Sequence, residues 1–257
     1  MDELAQLLTV LRREGRQQSG LDARLVPEDS ESAYQIAHTV TKALGWPIAG
    51  WKVGPTKPAM QRMLRSNAPT YGPLFERFVG ASPAVLSFPT LLNPLVEIEY
   101  VAKLGRSLPP RENAYLFDEV SEAVASLHPA LEIAETRYRH DKHLPPLAAI
   151  LADGAGSGHL VFGPPIMDWR TQDIEARECV LRIDGVEQRK GTAAETIDHP
   201  VAPLTWLANE LSGCGLGLLK GQLVSTGTLA AWVVPKPGEE YVADFGCLGR
   251  ACVTFAP

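Results

Sequence analysis

No run of apolar residues in this chain approaches the roughly 20 that a membrane-spanning helix needs, and no cluster of Lys or Arg is longer than Arg12-Arg13. The first absence argues against a membrane helix. The second, with a formal net charge of −6 and a pI near 5.6, argues against the basic footprint that a nucleic-acid backbone demands. Neither a membrane nor a nucleic acid is therefore expected as a partner. The opening Met1-Asp2-Glu3 is acidic and lacks the basic and apolar regions of a secretory signal, so a cytoplasmic location is expected. Cysteine is scarce. Cys179, Cys214, Cys247 and Cys252 have no C-x-x-C spacing, and the six histidines are not in zinc-ribbon order. Buried, reduced thiols are expected rather than a disulfide framework or structural zinc. Internal repeats and low-complexity segments are also missing.

What is present suits a well-filled core: 257 residues, 45% of them hydrophobic and 21% charged. Twenty-two glycines and 21 prolines imply many turns and a strand-rich fold. Leu4, Leu7, Leu8 and Leu11 recur at helical spacing, as do Ala33, Ile36, Ala37 and Val40 after the Pro27 turn, predicting two amphipathic helices. A third short helix is expected from Lys57 to Arg65, with Thr56 as its cap. From Val85 onward, short β-branched or alternating runs predict strands at 94–104, 130–136, 158–162, 177–184, 221–226, 241–245 and 250–255, with helices near 117–127 and 201–212. Asp184-Gly185 and Pro237-Gly238 read as turns. Helices first and mostly strands afterwards is an α+β order, without the β-α-β alternation of a doubly wound sheet. Gly213, Gly215 and Gly217 follow a helix instead of a strand, the wrong context for a dinucleotide loop.

Chemistry concentrates in Val96-Glu97-Ile98-Glu99-Tyr100. Period-two alternation sends Glu97 and Glu99 to one strand face and Val96, Ile98 and Tyr100 to the other. Two carboxylates about 6.5–7 Å apart along a strand repel unless a counter-charge sits between them. Glu132, in Ala130-Leu131-Glu132-Ile133, is a third acid among apolar neighbours. Three carboxylates without His or Cys select a hard ion, Mg²⁺ or Mn²⁺, over zinc. On spacing alone, a wet edge-strand face with Glu132 unrelated explains the pattern equally well.

Longer segments distinguish the two. Gly50-Trp51-Lys52-Val53-Gly54, Pro69-Thr70-Tyr71-Gly72-Pro73-Leu74-Phe75, Val96-Glu97-Ile98-Glu99 and Pro129-Ala130-Leu131-Glu132-Ile133 with Arg137-Tyr138 follow one another in a family order. Ala152-Asp153, Phe162-Gly163, His199-Pro200, Ser225-Thr226-Gly227 and Ala243-Asp244-Phe245-Gly246 continue it. The chain resembles the 2-oxopent-4-enoate (2-hydroxypenta-2,4-dienoate) hydratase and 4-oxalocrotonate decarboxylase group of the fumarylacetoacetate hydrolase superfamily.

The resemblance implies one domain over residues 1–257, largely helical over 1–80 and a mixed β-sandwich roll over 81–257. It implies Mg²⁺ or Mn²⁺ on Glu97, Glu99 and Glu132, and a 2-oxo or 2-hydroxydienoate acid chelating that ion. Hydration of such a dienoate in aromatic-compound breakdown is the leading expectation. Decarboxylation of a 4-oxalocrotonate-like diacid, and a non-catalytic partner subunit, are the alternatives. A closed homo-oligomer is expected, with assembly alongside a related hydratase or decarboxylase as a further option.

Lys52 is expected to transfer a proton or orient a carboxylate, its pKa lowered by an apolar pocket or a nearby cation. Glu76 is expected to replace a family Asp as second acid/base, and Thr226 and Ser157 to contact substrate. Asp153-Gly154-Ala155-Gly156-Ser157 lacks an Asn that relatives carry there, removing one orienting amide. Arg137 and Arg62 are candidate cations for a second substrate carboxylate. His140-Asp141-Lys142-His143 reads as a polar loop and His38 as a structural helix residue; the N-terminal region offers no clear match for the Glu-His pair of the superfamily's hydrolases, which ranks hydrolysis below the lyase readings.

Overall fold

Both amphipathic stripes become helices with strong end signals in the computed structural model, which describes residues 2–63, 65–139 and 145–257. In α1 (Glu3–Glu14), the Asp2 carboxylate accepts from the Leu4 and Ala5 amides, and Gly15 closes the last turn at φ 59°. In α2 (Ser30–Leu44), Asp29 and Ser32 form a capping box and Gly45 ends the helix at φ 65°. Leu4, Leu8, Ala33, Val40 and Leu44 pack together with Phe75. Each leucine so buried contributes roughly 1.5–3 kcal/mol.

The chain continues through β1 (Ile48–Gly54), α3 (Pro58–Met63), β2 (Thr70–Phe75), β3 (Val79–Ala81), β4 (Ala84–Ser87), β5 (Leu95–Leu104), α4 (Phe117–Ala123) and β6 (Val124–Ala134). Next come α5 (Leu147–Ala152), β7 (His159–Phe162), β8 (Cys179–Ile183), β9 (Val186–Gly191), α6 (Ala193–Thr196), α7 (Val201–Gly213), β10 (Leu223–Thr228), β11 (Glu240–Asp244) and β12 (Arg250–Ala256). One mixed sheet has the order β2-β1-β10-β5-β6-β7-β3, and the other β4-β12-β11-β8-β9. A common core of Trp51, Ile98, Tyr100, Leu131, Tyr241, Phe245, Val253 and Phe255 joins the two sheets, with Leu204, Leu207 and Leu211 of α7 against it. The mixed α+β roll expected from the resemblance is the observed fold.

Local departures from the sequence reading have physical causes. β1 and β2 lie where no strand was expected. Together they carry three glycines and one proline, and their fit depends on contacts elsewhere in the chain. A Cβ on Gly50 would sit 1.8 Å from the Leu223 carbonyl oxygen of the parallel neighbour β10. The helix read over 117–127 stops at Ala123, and β6 starts at once. Its Pro129 is tolerated inside a strand because its carbonyl accepts from Gly163, past the end of β7, where no ladder donor is required. Thr56 does not cap α3. Its hydroxyl donates to the Thr196 carbonyl, and the helix begins with Pro58, whose missing N–H is no loss in a first turn. Asp184-Gly185 forms the expected hairpin turn, both residues at positive φ. The cysteines are free, but only Cys179 is buried; Cys214 and Cys247 are exposed. His140-Asp141-Lys142-His143 lies outside the described residues.

Candidate metal centre

The large sheet's second face carries the chemistry. On β5, Val96, Ile98 and Tyr100 enter the core, so Glu97 and Glu99 face the other way, as alternation requires. Glu97 is paired directly with Glu132 on β6. One carboxylate oxygen from each of Glu97, Glu99 and Glu132 lies within 4.8 Å of the others. Glu132 is 0% and Glu99 1% exposed. Glu97 and Glu99 line a cavity of about 640 Å³, with Glu132 behind them.

Three neighbours organise the trio. β10 carries one extra residue against β5 between Ser225 and Thr228, a bulge that turns the Gly227 N–H toward Glu99 Oε2 at 2.9 Å. Gly227 adopts φ 106°, which only glycine takes without strain. The Ser225 hydroxyl donates to the same oxygen. Lys52, on β1 opposite Ser225, places Nζ 3.3 Å from Glu132 Oε1 and donates to the Ala155 carbonyl at 2.9 Å.

Both oxygens of Glu132 are buried without a hydrogen bond among the described residues, its only compensation being the Lys52 charge. Buried carboxylate oxygens otherwise cost several kcal/mol. An all-carboxylate donor set with orphaned oxygens fits a hard divalent ion. Without one, burial raises the Glu97 carboxyl to about 7, with Glu132 repulsion adding to the effect. Burial, then Glu132 and Glu97, raise Glu99 well above the ordinary range. Burial alone would lower the Lys52 pKa, but Glu132, Glu97 and Glu99 outweigh it and hold it above its ordinary value. In the metal-free site the lowered lysine expected from sequence is thus reversed, and Lys52 is an ammonium among carboxylates.

Other candidates fall elsewhere. Glu76 is exposed, in the turn after the far end of β2, whereas Thr70 at the opposite end lines the cavity. The Thr226 hydroxyl is fully buried and donates to the Tyr100 carbonyl, on the core side of the strand. Ser157 is buried with its hydroxyl donating to the Pro73 carbonyl. Neither lines the cavity; Gly227, Thr228 and Ala155 do. Arg137 is committed to Asp153, and Arg62 lies outside the lining. The cavity's second cation among the described residues is Arg65, with Met60, Leu147, Ile150 and Ile197 forming apolar wall. His38 is half-buried beside the Tyr71 hydroxyl, 3.4 Å away, consistent with a structural role.

Residues 77–256 match the model of the fumarylacetoacetate (FAA) hydrolase C-terminal family, and the chain belongs to that family. A "2-keto-4-pentenoate hydratase 1" of Dechloromonas aromatica (strain RCB) is 28% identical over 98% of this chain and 95% of its own. A "2-keto-4-pentenoate hydratase" of Burkholderia vietnamiensis (strain G4 / LMG 22486) is 30% identical over 88% and 86%. Among solved structures, a 4-oxalocrotonate decarboxylase from Pseudomonas putida G7, complexed with magnesium and adipate, superposes with a TM-score of 0.88. It covers 98% of this chain and 95% of that one at 22% identity, which establishes a shared fold.

Proposed function

We propose that this protein is a divalent-metal-dependent hydro-lyase that adds water to a short 2-hydroxy-2,4-dienoate and yields a 4-hydroxy-2-oxo acid. The observation carrying this reading is the convergence of the Glu97, Glu99 and Glu132 oxygens within 4.8 Å beside the cavity, with both Glu132 oxygens lacking a hydrogen bond among the described residues. These three residues would hold Mg²⁺ or Mn²⁺. When bound, such an ion acts as a Lewis acid toward a 2-oxo acid's chelating oxygens.

The chain's own groups supply positioning. The Gly227 amide and Ser225 hydroxyl fix one Glu99 oxygen, leaving the other free of those partners. The Lys52 ammonium, held between Glu132 and the Ala155 carbonyl, has N–H donors not spent on that carbonyl to offer to a substrate carboxylate or enol oxygen. In the reaction the enol proton is lost and a proton is gained at C5, giving a conjugated 2-oxo-3-enoate. Water then adds, hydroxyl to C4 and hydrogen to C3. The apolar wall residues suit the hydrocarbon part of the dienoate.

Arg65 favours a second reading: a cation lining the cavity would suit the far carboxylate of a diacid, making the enzyme a decarboxylase of 4-oxalocrotonate-like substrates. Supplying 2-hydroxypenta-2,4-dienoate and 4-oxalocrotonate separately with Mg²⁺, while following dienol absorbance and CO₂ release, separates the two. CO₂ from the diacid without hydration of the dienoate overturns the first. Glu97→Gln and Glu132→Gln should abolish metal-dependent turnover while the fold persists; full activity in either removes the metal reading. A cytoplasmic homo-oligomer belongs to the same proposal.

A further inference from the structure

Behind Lys52 lies a group of four charged side chains that the chemistry above does not use. Arg12 is 7%, Arg137 4%, Asp153 1% and Glu135 7% exposed. Asp153 is the hub. Arg12 Nε is 3.2 Å from its Oδ1, Arg137 Nε lies 3.0 Å from both its oxygens, and the Arg137 amide donates to Oδ2 at 2.8 Å. The arginines also grip backbone: Arg12 Nη2 donates to the Asp153 carbonyl, and Arg137 Nη2 to those of Ser157 and Glu135.

What this cluster encloses is an unusual stretch of chain. Gly154, Ala155 and Gly156 adopt φ of 81°, 54° and 81°, three left-handed residues in a row, with an alanine in the middle where an L side chain is disfavoured. The run is pinned on every side. The Glu135 amide donates to the Gly156 carbonyl at 2.9 Å, the Ser157 hydroxyl to Pro73, and the Gly154 carbonyl packs so close to β2 that a Cβ on Gly72 would lie 2.0 Å from it. The result is that the Ala155 carbonyl points into the cavity and accepts from Lys52 Nζ at 2.9 Å. Stability alone is a poor reason for this arrangement, because apolar residues of similar volume stabilise a buried site at least as well as buried ion pairs. The cluster's outlet to the site is that carbonyl.

We propose that Arg12, Asp153 and Arg137 are positioning residues for the reaction: they hold residues 154–156 in the left-handed run that presents the Ala155 carbonyl to Lys52. The ammonium is thereby fixed between that carbonyl and Glu132 and kept from collapsing onto Glu97 or Glu99. This rests on the reading of Lys52 as a working group of the site.

Two measurements test it, one of them independent of turnover. In the metal-free protein, the Lys52 ammonium, shielded by its two partners, should give a slowly exchanging ¹⁵N-correlated NMR signal that Lys52→Met deletes. Asp153→Asn should lose that signal while the backbone amide spectrum of both sheets stays in place. With Mg²⁺ and substrate, Asp153→Asn should lower kcat at least tenfold with KM within about threefold. In a Lys52→Met background the same change should cause no further loss, because a residue acting through another has no effect once that one is gone. Arg12→Lys, which keeps the charge but loses the forked grip on Asp153, repeats the test should Asp153→Asn fail to fold. A retained ammonium signal with kcat unchanged, or losses that multiply in the double variant, would reduce the cluster to a structural role. Absence of turnover in the wild-type protein would instead count against the proposed reaction, while the NMR comparison would still decide the positioning.

Discussion

Removing the divalent ion should convert the acidic trio from an asset into a pH-dependent liability. In the metal-free fold, Glu97 titrates near 7 against an ordinary 4.5, raised by burial and by Glu132. Between those values the folded protein keeps a proton that the unfolded chain has released. Stability therefore falls as pH rises from about 4.5 to 7, and the contribution is gone above 7. The 2.5-unit gap corresponds to about 2–3 kcal/mol, allowing for the part of Glu97 that faces the cavity. For a chain of this size that is about 4–12 °C in Tm. The histidines His38, His128, His159 and His199, whose pKa values burial lowers, act oppositely and lose stability as pH falls. The difference between wild type and Glu97→Gln isolates the carboxylate. Calorimetry in chelator from pH 5 to 8 should give a wild-type Tm that drops relative to Glu97→Gln. Mg²⁺ at a hundred times its Kd should restore about 2.7 kcal/mol at pH 7.5, with less effect at pH 5, where protons compete for the ligands. Parallel Tm curves for the two proteins, or no Mg²⁺ effect at pH 7.5, would refute the reasoning.

Gly72→Ala places a methyl against the Gly154 carbonyl, so urea denaturation should register a loss of about 3 kcal/mol; an unchanged midpoint would mean the β2 contact is loose. Arg65→Ala should lower kcat/KM at least tenfold for a diacid and less than threefold for the five-carbon dienoate, and equal losses would remove Arg65 as the far-end reader. A maleimide at pH 8 should label exposed Cys214 and Cys247 first, whereas Cys179, buried and pushed up to about 12, should stay unmodified in peptide mass spectra of the native protein.

Period-two alternation over 96–100 was enough to put Glu97 and Glu99 on one face, and helical spacing of apolar residues was enough for α1 and α2, whereas the capping by Asp2, Gly15, Asp29 and Gly45 is seen in the structure. Spacing alone left Glu132 unconnected to the acid pair, and only the family resemblance joined them; strand pairing sets it across from Glu97, because register is a property of two strands together. Glu76 and Thr226 lie off the cavity for a related reason: a motif match does not say which end of β2, or which face of β10, meets it.

The sequence by itself determined the local grammar: two amphipathic helices, most of the strands, the acid pair, and a family order of short motifs spread along the chain. The tertiary structure decided everything that needs distant segments to meet. It set Lys52 among carboxylates, which in the metal-free site raise its pKa instead of lowering it. It also buried Arg12 and Arg137 on Asp153, from positions 141 and 16 residues away, and aimed a strained carbonyl at the lysine. Charge and dielectric depend on neighbours in space, and a sequence names only neighbours along the chain.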